Sequence, residues 1–247
     1  MRRWTIAVVC VAAMVGSGAG QPSGQGAPTA TRPADPALWA ELTEIDARAG
    51  KIKTLSADFE QQKFTALLAK PLVSAGRVAI SGPRMRWDTR RPEPSVMAID
   101  AHEAKLFYPA QKTLEVYPID ERLGQLAASP LPRLEVLRTR FSFERIPVAE
   151  LKPGADGKAF VALKLTPIEA EIRQHVEAVR VLLDVSAGYI VRAEMTDADG
   201  DRTVLSFSNV QLNADVGDLA LNVPPGTRVT RPLEGLRGSP KPQGPSK

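Results

Sequence analysis

The chain reads LVSAGRVAISGPRMRWDTRRPEPSVMAID over residues 72–100. Val78 and Ile80 fall on one face of a first alternating run, and Met85 and Trp87 fall on one face of a second. Apolar residues that alternate with polar or small ones are typical of β-strands with one buried face. Because a Gly-Pro turn separates the two runs, they predict an antiparallel hairpin.

The same period of two continues on both sides of this hairpin. Leu55, Ala57 and Phe59 alternate with polar residues before it. Strands are predicted after it at 95–100, 104–109, 112–118, 141–148, 159–166, 175–185, 189–196, 202–212 and 218–223. The fold class is therefore mainly β (α+β), with about ten or eleven strands in a single curved antiparallel sheet, and so many strands are expected to curl toward a barrel.

Two helical segments interrupt the strand pattern. Asp35 and Pro36 are typical first residues of a helix, and apolar residues then recur at helical spacing as far as Ile52. A broken helical segment is predicted midway along the chain, with four leucines on it: Leu123, Leu126, Leu134 and Leu137. We expect the two segments to close the curled sheet.

The two ends of the chain differ from its middle in composition. Residues 1–20 combine a cationic start, an apolar stretch too short to span a bilayer and a run of small residues, which is the pattern of a cleavable export signal. We place the cut after Gly18 or Gly20. Residues 21–34 are predicted to be a flexible linker, 35–231 a single domain and 232–247 a disordered, Pro-rich basic tail.

Composition excludes several classes of function. Removal of the signal lowers the formal net charge from +4 to +2, which is too balanced to predict binding to nucleic acid. Cys10 is the only cysteine and lies in the signal, so neither a disulfide nor a cysteine-ligated metal is expected. His102 and His175 are the only histidines, and no nucleophile motif accompanies them. We therefore expect no cofactor, no metal and no enzymatic activity.

Asp197, Asp199 and Asp201 resemble the start of a calcium-binding loop. No glutamate stands at the downstream position that such a loop requires. Asp and Gly are also the residues that tight turns prefer, and Gly200 lies within the run. We therefore interpret the run as a hairpin turn.

An apolar stripe along the strands has two interpretations. It can be an ordinary filled core or, because small residues such as Gly76 lie on the same strands, the wall of an open ligand-binding cavity. The cavity interpretation assigns these residues to the wall: Phe59, Val78, Met85, Trp87, Met97, Ile99, Phe107 and Tyr117. The four mid-chain leucines would form its lid.

A basic run around Trp87 also has two interpretations. It consists of Arg84, Arg86, Arg90 and Arg91. The period of two predicts that the first two of these point into water, as on any solvated strand face. Alternatively, the four arginines dock on an anionic partner or a lipid headgroup.

Five short motifs follow one another along the chain. They are Phe59-Glu60-Gln61-Gln62-Lys63, Ser74-Ala75-Gly76, Arg84-Met85-Arg86-Trp87-Asp88, Leu106-Phe107-Tyr108-Pro109 and Val223-Pro224-Pro225-Gly226-Thr227. In this order they resemble the LolA family of periplasmic lipoprotein carriers. The resemblance covers nearly the whole predicted domain.

The resemblance implies an unclosed antiparallel half-barrel with helices as a lid over an apolar cavity, and no catalysis. Such carriers accept a lipoprotein from an inner-membrane ABC-type release complex and pass it to an outer-membrane acceptor. We expect this chain to do so in the periplasm as a soluble monomer. Related domains sense envelope stress by binding lipoproteins, or move glycolipids, phospholipids and other lipids, and these functions are the alternative.

Two residues depart from the family pattern. Ser81 stands where the family often has an arginine that tethers the lid, and Ala101 stands where it has a glycine in a turn. We therefore expect closure of the lid to be controlled differently in this chain.

Overall fold

Strands and helices follow one another as the sequence pattern predicts. A computed structural model describes residues 35–100, 102–118, 130–131, 134–152 and 159–232, so the predicted signal, linker and tail lie outside the described residues except for Pro232. The helices are α1 (Pro36–Ala49), α2 (Leu134–Leu137) and α3 (Ala170–Arg173), with a 3₁₀ turn at Val148–Glu150. The strands are β1 (Thr54–Phe64), β2 (Leu72–Ser81), β3 (Arg84–Arg91), β4 (Ser95–Ile99), β5 (Glu103–Tyr108), β6 (Thr113–Pro118), β7 (Phe141–Ile146), β8 (Phe160–Pro167), β9 (Val176–Asp184), β10 (Ile190–Asp197), β11 (Arg202–Leu212) and β12 (Arg228–Thr230).

A single sheet forms the fold, which confirms a mainly β architecture. It has twelve strands, rather than about ten or eleven, in the order β12-β6-β5-β4-β3-β2-β1-β11-β10-β9-β8-β7. Neighbouring strands are antiparallel except for β12 and β6. Within the described residues β12 and β7 do not pair with each other, so the curved sheet is unclosed.

The C-terminal segment departs from the prediction. The strand predicted at 218–223 does not form. Instead residues 213–227, which we call the C-terminal strap, cross one face of the sheet, and β12 then pairs in parallel with β6 through Arg228 and Thr113. At about 3.3 Å per extended residue, the strap is long enough to pass from β11 to the far side of β6. Local alternation of residues carries no information about such a return, because the partner strand is far away in the sequence.

Separate apolar clusters lie on the two faces of the sheet. The main cluster lies on the face covered by α1 and α2, which we call the inner face, and draws buried residues from β1 to β5, from β7 to β11 and from both helices. The opposite, outer face carries two smaller clusters. One contains Phe107, Leu114 and Val116 with Leu221 of the strap, and the other contains Leu151, Ala162 and Leu182.

Helix α1 begins as its sequence predicts. The Asp35 carboxylate accepts a hydrogen bond from the Ala37 backbone N–H at 2.9 Å, and Pro36 takes the first helical position. A cap of this kind is worth about 1 kcal/mol. The side of the helix that carries Leu38 and Leu42 then packs on the main cluster.

The other end of α1 rests on the turn between β9 and β10. A Cβ atom at Gly188 would lie 2.7 Å from the Ala49 backbone nitrogen and 2.8 Å from the Ile45 carbonyl oxygen. Gly188 also has a φ of +79°, which residues with side chains rarely adopt. Glycine at this turn therefore lets the helix approach the sheet closely.

Gly76 does not leave open space on β2. A Cβ atom there would lie 2.0 Å from the Asp88 carbonyl oxygen and 2.9 Å from the Phe59 ring. The sheet also has an irregular pairing between β2 and β3 at this point. The room that glycine provides is therefore filled by the aromatic ring and the neighbouring backbone, contrary to the expectation that small residues would keep a cavity open.

Candidate functional site: the apolar inner face

Cross-strand pairs form the centre of the inner face. Trp87 on β3 pairs with Met97 on β4 and with Val78 on β2, and Met85 pairs with Ile99 one step further along. These side chains lie on the same face because each is two residues from its neighbour on the strand. All five are at most 5 % exposed. The structure therefore brings together five of the eight residues that the cavity interpretation assigned to the wall.

Phe59 joins this group through its ring. The ring centroids of Phe59 and Trp87 are 4.6 Å apart at an interplanar angle of 63°, an edge-on arrangement that aromatic pairs favour. Phe207 on β11 approaches Trp87 from the same side at 6.0 Å. The indole N–H of Trp87 donates to the Met85 sulfur at 2.9 Å. Thioether sulfur is a weak acceptor, so the middle of this face offers little polar interaction.

Tyr117 and Phe107, two further residues assigned to the wall, lie on opposite faces of the sheet. Tyr117 on β6 is half-buried against the main cluster, and its hydroxyl donates to Glu115 at 2.8 Å. Phe107 on β5 is buried on the outer face with Leu114, its cross-strand partner. The assignment of Phe107 to the cavity wall was therefore wrong. The cause is the register, since a shift by one residue along a strand moves a side chain to the other face.

The second half of the inner face contains no residue that the sequence analysis assigned to the cavity wall. It is built by buried residues of β8, β9 and β11, namely Leu163, Leu165, Val181, Leu183, Leu205 and Phe207. The alternating pattern of these strands was visible, but the family motifs that drew attention to the wall lie mostly before residue 110. The apolar face is thus about twice as wide as the predicted wall.

Two helices cover this face. Leu42 and Ile45 of α1 and Leu134 of α2 are at most 2 % exposed and belong to the main cluster, while Leu137 is half-buried against it. Leu123 and Leu126, the other two predicted lid residues, lie outside the described residues. Because the described side chains of the helices and of the sheet bury one another, a ligand that enters between them must displace part of the cover.

Hydrogen bonds attach the described part of the cover to itself and to the sheet. The Asp46 carboxylate on α1 accepts a hydrogen bond from the backbone N–H of Leu134 at 3.1 Å, which joins the two helices. Arg48 donates to the Val185 carbonyl at 2.7 Å. The segment before α2 is attached where the Ile190 N–H donates to the Pro130 carbonyl at 2.6 Å.

One arginine of the basic run, Arg86, is partly covered. The Arg86 guanidinium donates to the Asp88 carboxylate at 2.9–3.1 Å and to the Ala220 carbonyl at 2.6 Å. The hydrogen bond to Asp88, together with the negative charges of Asp88 and Asp218, outweighs burial and raises the pKa of Arg86. The prediction that Arg86 points into water was therefore wrong, because the strap covers this part of the outer face. Arg84, Arg90 and Arg91 are exposed.

The acidic run forms the predicted hairpin turn between β10 and β11. The Asp197 N–H donates to the Asp201 carbonyl at 2.8 Å, and Lys63 lies 3.9 Å and 3.5 Å from the two carboxylates. Asp199 completes the one group in the described part of the chain that has the composition of a metal site. The turn geometry and the contacts with Lys63 account for these residues.

No helix in the described ranges has both the length and the apolar character needed to cross a membrane.

Two relatives found by sequence are described as outer-membrane lipoprotein carrier proteins. Residues 50–220 match the family described as outer membrane lipoprotein carrier protein LolA. The outer-membrane lipoprotein carrier protein of Dechloromonas aromatica is 26% identical over 162 residues, which cover 65% of this chain and 72% of that protein. The protein of the same description from Chromohalobacter salexigens is 23% identical over 184 residues, covering 73% and 81%.

A solved structure has the same fold. It is an uncharacterized conserved protein from Thermus thermophilus, with a TM-score of 0.50 and 11% identity, and the match covers 79% of this chain and 99% of that one. At this identity the likeness concerns the fold alone. The sequence match to the family, by contrast, spans well over half of the chain, and this protein belongs to the LolA family of outer membrane lipoprotein carrier proteins.

Proposed function

We propose that this protein binds the acyl chains of lipoproteins between its inner face and the covering helices α1 and α2. The observation that carries the proposal is a continuous apolar face under a cover that packs on it mainly through apolar side chains. Phe59, Met85, Trp87 and Met97 would form its floor, and Leu134 would belong to its lid.

Hydrophobic burial accounts for such binding. Each methylene group removed from water contributes about 0.8 kcal/mol, so an acyl chain gains enough to displace a helix from the sheet. The displaced helix exposes its own apolar side, which offsets part of this gain. Binding is therefore strong enough to keep a lipid out of water and weak enough to release it to a better site.

The proposal extends to the route of the cargo. By analogy with the family, the protein would be exported to the periplasm, receive a lipoprotein from an inner-membrane ABC-type release complex and deliver it to an outer-membrane acceptor. It would act as a monomer without cofactor and without catalysis. The names of the two relatives support the carrier function.

The decisive experiment measures binding of a fluorescent triacylated peptide to two matched variants. Met97→Trp enlarges a buried residue of the inner face, and Leu114→Trp enlarges a buried residue of the outer face. Overpacking destabilises either variant by about 1–3 kcal/mol, so the unfolding of both is measured. We expect Met97→Trp to weaken binding about tenfold or more and Leu114→Trp to keep it within about twofold.

Three results would count against the proposal. They are no binding by the unaltered protein, equal losses in the two variants, and a lipid-free native mass spectrum of protein prepared gently from its own cells. A lipid other than a lipoprotein in that spectrum would assign the same cavity to a glycolipid or phospholipid carrier.

One observation favours the second candidate, a sensor that acts mainly through a partner protein. Met97 is 3 % exposed and Trp87 is 1 % exposed, so the inner face is filled when it is covered. Unlike a sensor that binds lipoproteins, a regulatory protein that acts only through a partner protein does not need its core to exchange with a ligand. In that case the lipopeptide binds neither the unaltered protein nor Leu114→Trp, and Met97→Trp costs stability only.

A further inference from the structure

We propose that the loop between β1 and β2, residues 65–71, inserts its leucines into the surface of an anionic lipid bilayer. The proposal concerns a different part of the molecule from the acyl-chain site and does not depend on it. It rests on exposed apolar side chains, on the way the hairpin projects, and on the charges around it.

Leu67 and Leu68 are the apolar tip of this loop. Leu67 is 88 % exposed, well above every other large apolar residue in the described ranges, and Leu68 beside it is 44 % exposed, comparable with Val229 at 49 %. The leucines are held outward by a turn, since the Leu67 N–H donates to the Thr65 hydroxyl and the Leu68 N–H to the Thr65 carbonyl, both at 3.2 Å. Two adjacent leucines presented to solvent in this way have no role in the core.

The hairpin that carries the tip projects beyond β3 on one side. Pairing of β1 with β2 continues to Lys63 and Leu72, but pairing of β2 with β3 ends at Ala75 and Arg91. Residues 72–74 thus extend about 10 Å past that edge at about 3.3 Å per residue. On its other side the hairpin is flanked by β11 up to the start of the loop, where Phe64 pairs with Arg202 and the Arg202 guanidinium lies 4.2 Å from the Phe64 ring.

The charges around the tip match an anionic surface. No aspartate or glutamate occurs between Gln61 and Trp87. Lys70 is exposed in the loop itself, and Arg90 and Arg91 are exposed at the end of β3 beside the projecting hairpin. Basic residues next to an apolar tip add electrostatic attraction to anionic headgroups.

Acidic residues lie on the opposite flank. The turn between β10 and β11 contributes Asp197, Asp199 and Asp201, of which the first and third lie 3.9 Å and 3.5 Å from Lys63. Glu93 is exposed in the turn after β3, on the same side as Arg90 and Arg91, and offsets one of the positive charges there. Attraction to the membrane is therefore directional, and the side of the hairpin toward Arg90 and Arg91 should face the headgroups.

The shape of the tip favours a bilayer over a protein groove as its partner. A specific protein interface usually buries at least about 1,000 Å², far more than two leucine side chains can supply. Insertion of a few apolar side chains with nearby basic residues gives weak, reversible membrane binding. Such contact would hold a carrier at a membrane only briefly.

The test is co-sedimentation of the full chain with vesicles of phosphatidylethanolamine and phosphatidylglycerol. We expect binding to fall about tenfold in the double variant Leu67→Ser, Leu68→Ser, and less in Lys70→Glu, whose effect should vanish at high salt. The matched control is Val223→Ser, Val229→Ser, which removes two exposed apolar side chains elsewhere and should bind as the unaltered protein does. In Leu67→Trp, tryptophan fluorescence should shift to the blue when vesicles are added.

Several outcomes would overturn the proposal. They are no sedimentation of the unaltered protein, equal binding by the leucine double variant, equal loss in the valine control, and binding to purely zwitterionic vesicles that matches binding to anionic ones. This test is independent of the acyl-chain proposal. The leucine double variant should still bind the triacylated peptide, and Met97→Trp should still bind vesicles. Binding of the tip to a purified envelope protein in place of vesicles would also contradict the proposal that the loop inserts into a bilayer.

Discussion

The inner and outer faces of the sheet are covered in different ways. On the inner face, α1 and α2 pack through leucine and isoleucine side chains and are attached by hydrogen bonds such as that from Leu134 to Asp46. On the outer face, the strap is fixed by Arg86, by an apolar contact of Leu221 and by the backbone ladder of β12.

This difference indicates which cover can move. Apolar packing is non-directional, so a lipid chain can replace a helix side chain, and opening breaks only single hydrogen bonds such as that from Arg48 to Val185. Removing the strap would break a strand ladder and leave the Arg86–Asp88 pair without its third partner. We therefore expect the outer face to keep the sheet rigid while the inner cover exchanges with ligand.

The largest expected effect concerns Glu194 on the outer face. Its side chain is 3 % exposed and is surrounded by Arg180, Arg192 and Arg202, with the Arg192 contact at 2.7 Å. Burial alone would raise the pKa of this carboxyl. Hydrogen bonds and charges from Arg192 and Arg180 outweigh burial and lower the pKa below its ordinary value.

Replacing Glu194 should test the rigidity of this face. We expect Glu194→Gln to reduce the free energy of unfolding by about 2–3 kcal/mol at pH 7, because charge-assisted hydrogen bonds to a buried group are lost. Since the folded-state pKa is lowered, the stabilisation is present above the unfolded-state value of about 4.5 and disappears as the pH falls through the folded-state pKa. Chemical denaturation at a series of pH values measures both quantities.

The control for Glu194 is Glu177, an exposed residue of β9. Glu177→Gln should change the free energy of unfolding by less than about 0.5 kcal/mol. If the Gln variant at 194 matched that control, the arginine cluster would contribute nothing to the rigid face. If it lost the same stability at every pH, the loss would not come from the ionised carboxylate.

A smaller effect is expected where the strap meets β3. Arg86→Ala removes the hydrogen bonds to Asp88 and Ala220 and should cost about 1–2 kcal/mol. Its neighbour Arg84, exposed on the same strand, provides the matched variant, and Arg84→Ala should cost less than about 0.5 kcal/mol. Hydrogen exchange should show faster exchange of the β12 amides in the first variant only.

The same pair of variants sharpens the comparison between the faces. Lipopeptide binding should stay within about twofold in both, because both side chains lie on the outer face. If Arg86→Ala lowered the free energy of lipopeptide binding by as much as it lowered the free energy of unfolding, the two faces would be coupled. The division into a rigid and an exchangeable side would then be wrong.

Much of the fold could be predicted from the sequence because its decisive signals are local. Asp35 and Pro36 mark the start of α1, and alternation places Val78, Met85 and Trp87 on one face without knowledge of distant partners. Glycines with positive φ, such as Gly188, stand at the turns. These signals depend only on the residue type and its near neighbours.

What the sequence could not predict depends on distant contacts. Arg86 alternates like a solvated residue, and only its contact with Ala220, 134 positions later, shows that it is covered. Phe107 is apolar and would suit a core on either face of the sheet. It lies in the outer cluster, which Leu221 of the strap completes. The Arg86 error arises because the strap returns across a face that the pattern marks as open, and the Phe107 error arises because the register of β5 decides which face its side chain takes.

The smallest effect on stability, and the most specific to function, is expected at Asp46. This residue of α1 accepts the Leu134 N–H and so joins the two covering helices. It offers a tether for the cover, whose closure we expected from Ser81 to be controlled differently in this chain. Asp46→Ala should cost less than about 1 kcal/mol.

Release of ligand should respond more than stability does. A tether that is present only in the covered state slows opening, so losing about 1 kcal/mol of it should speed release of the triacylated peptide about threefold to fivefold in stopped-flow measurements. Asp46→Asn keeps an oxygen acceptor at the same position and should release the peptide almost as slowly as the unaltered protein. Faster release from Arg86→Ala than from Asp46→Ala would instead place the control of opening on the outer face, because loosening the strap would then matter more than untying the helices.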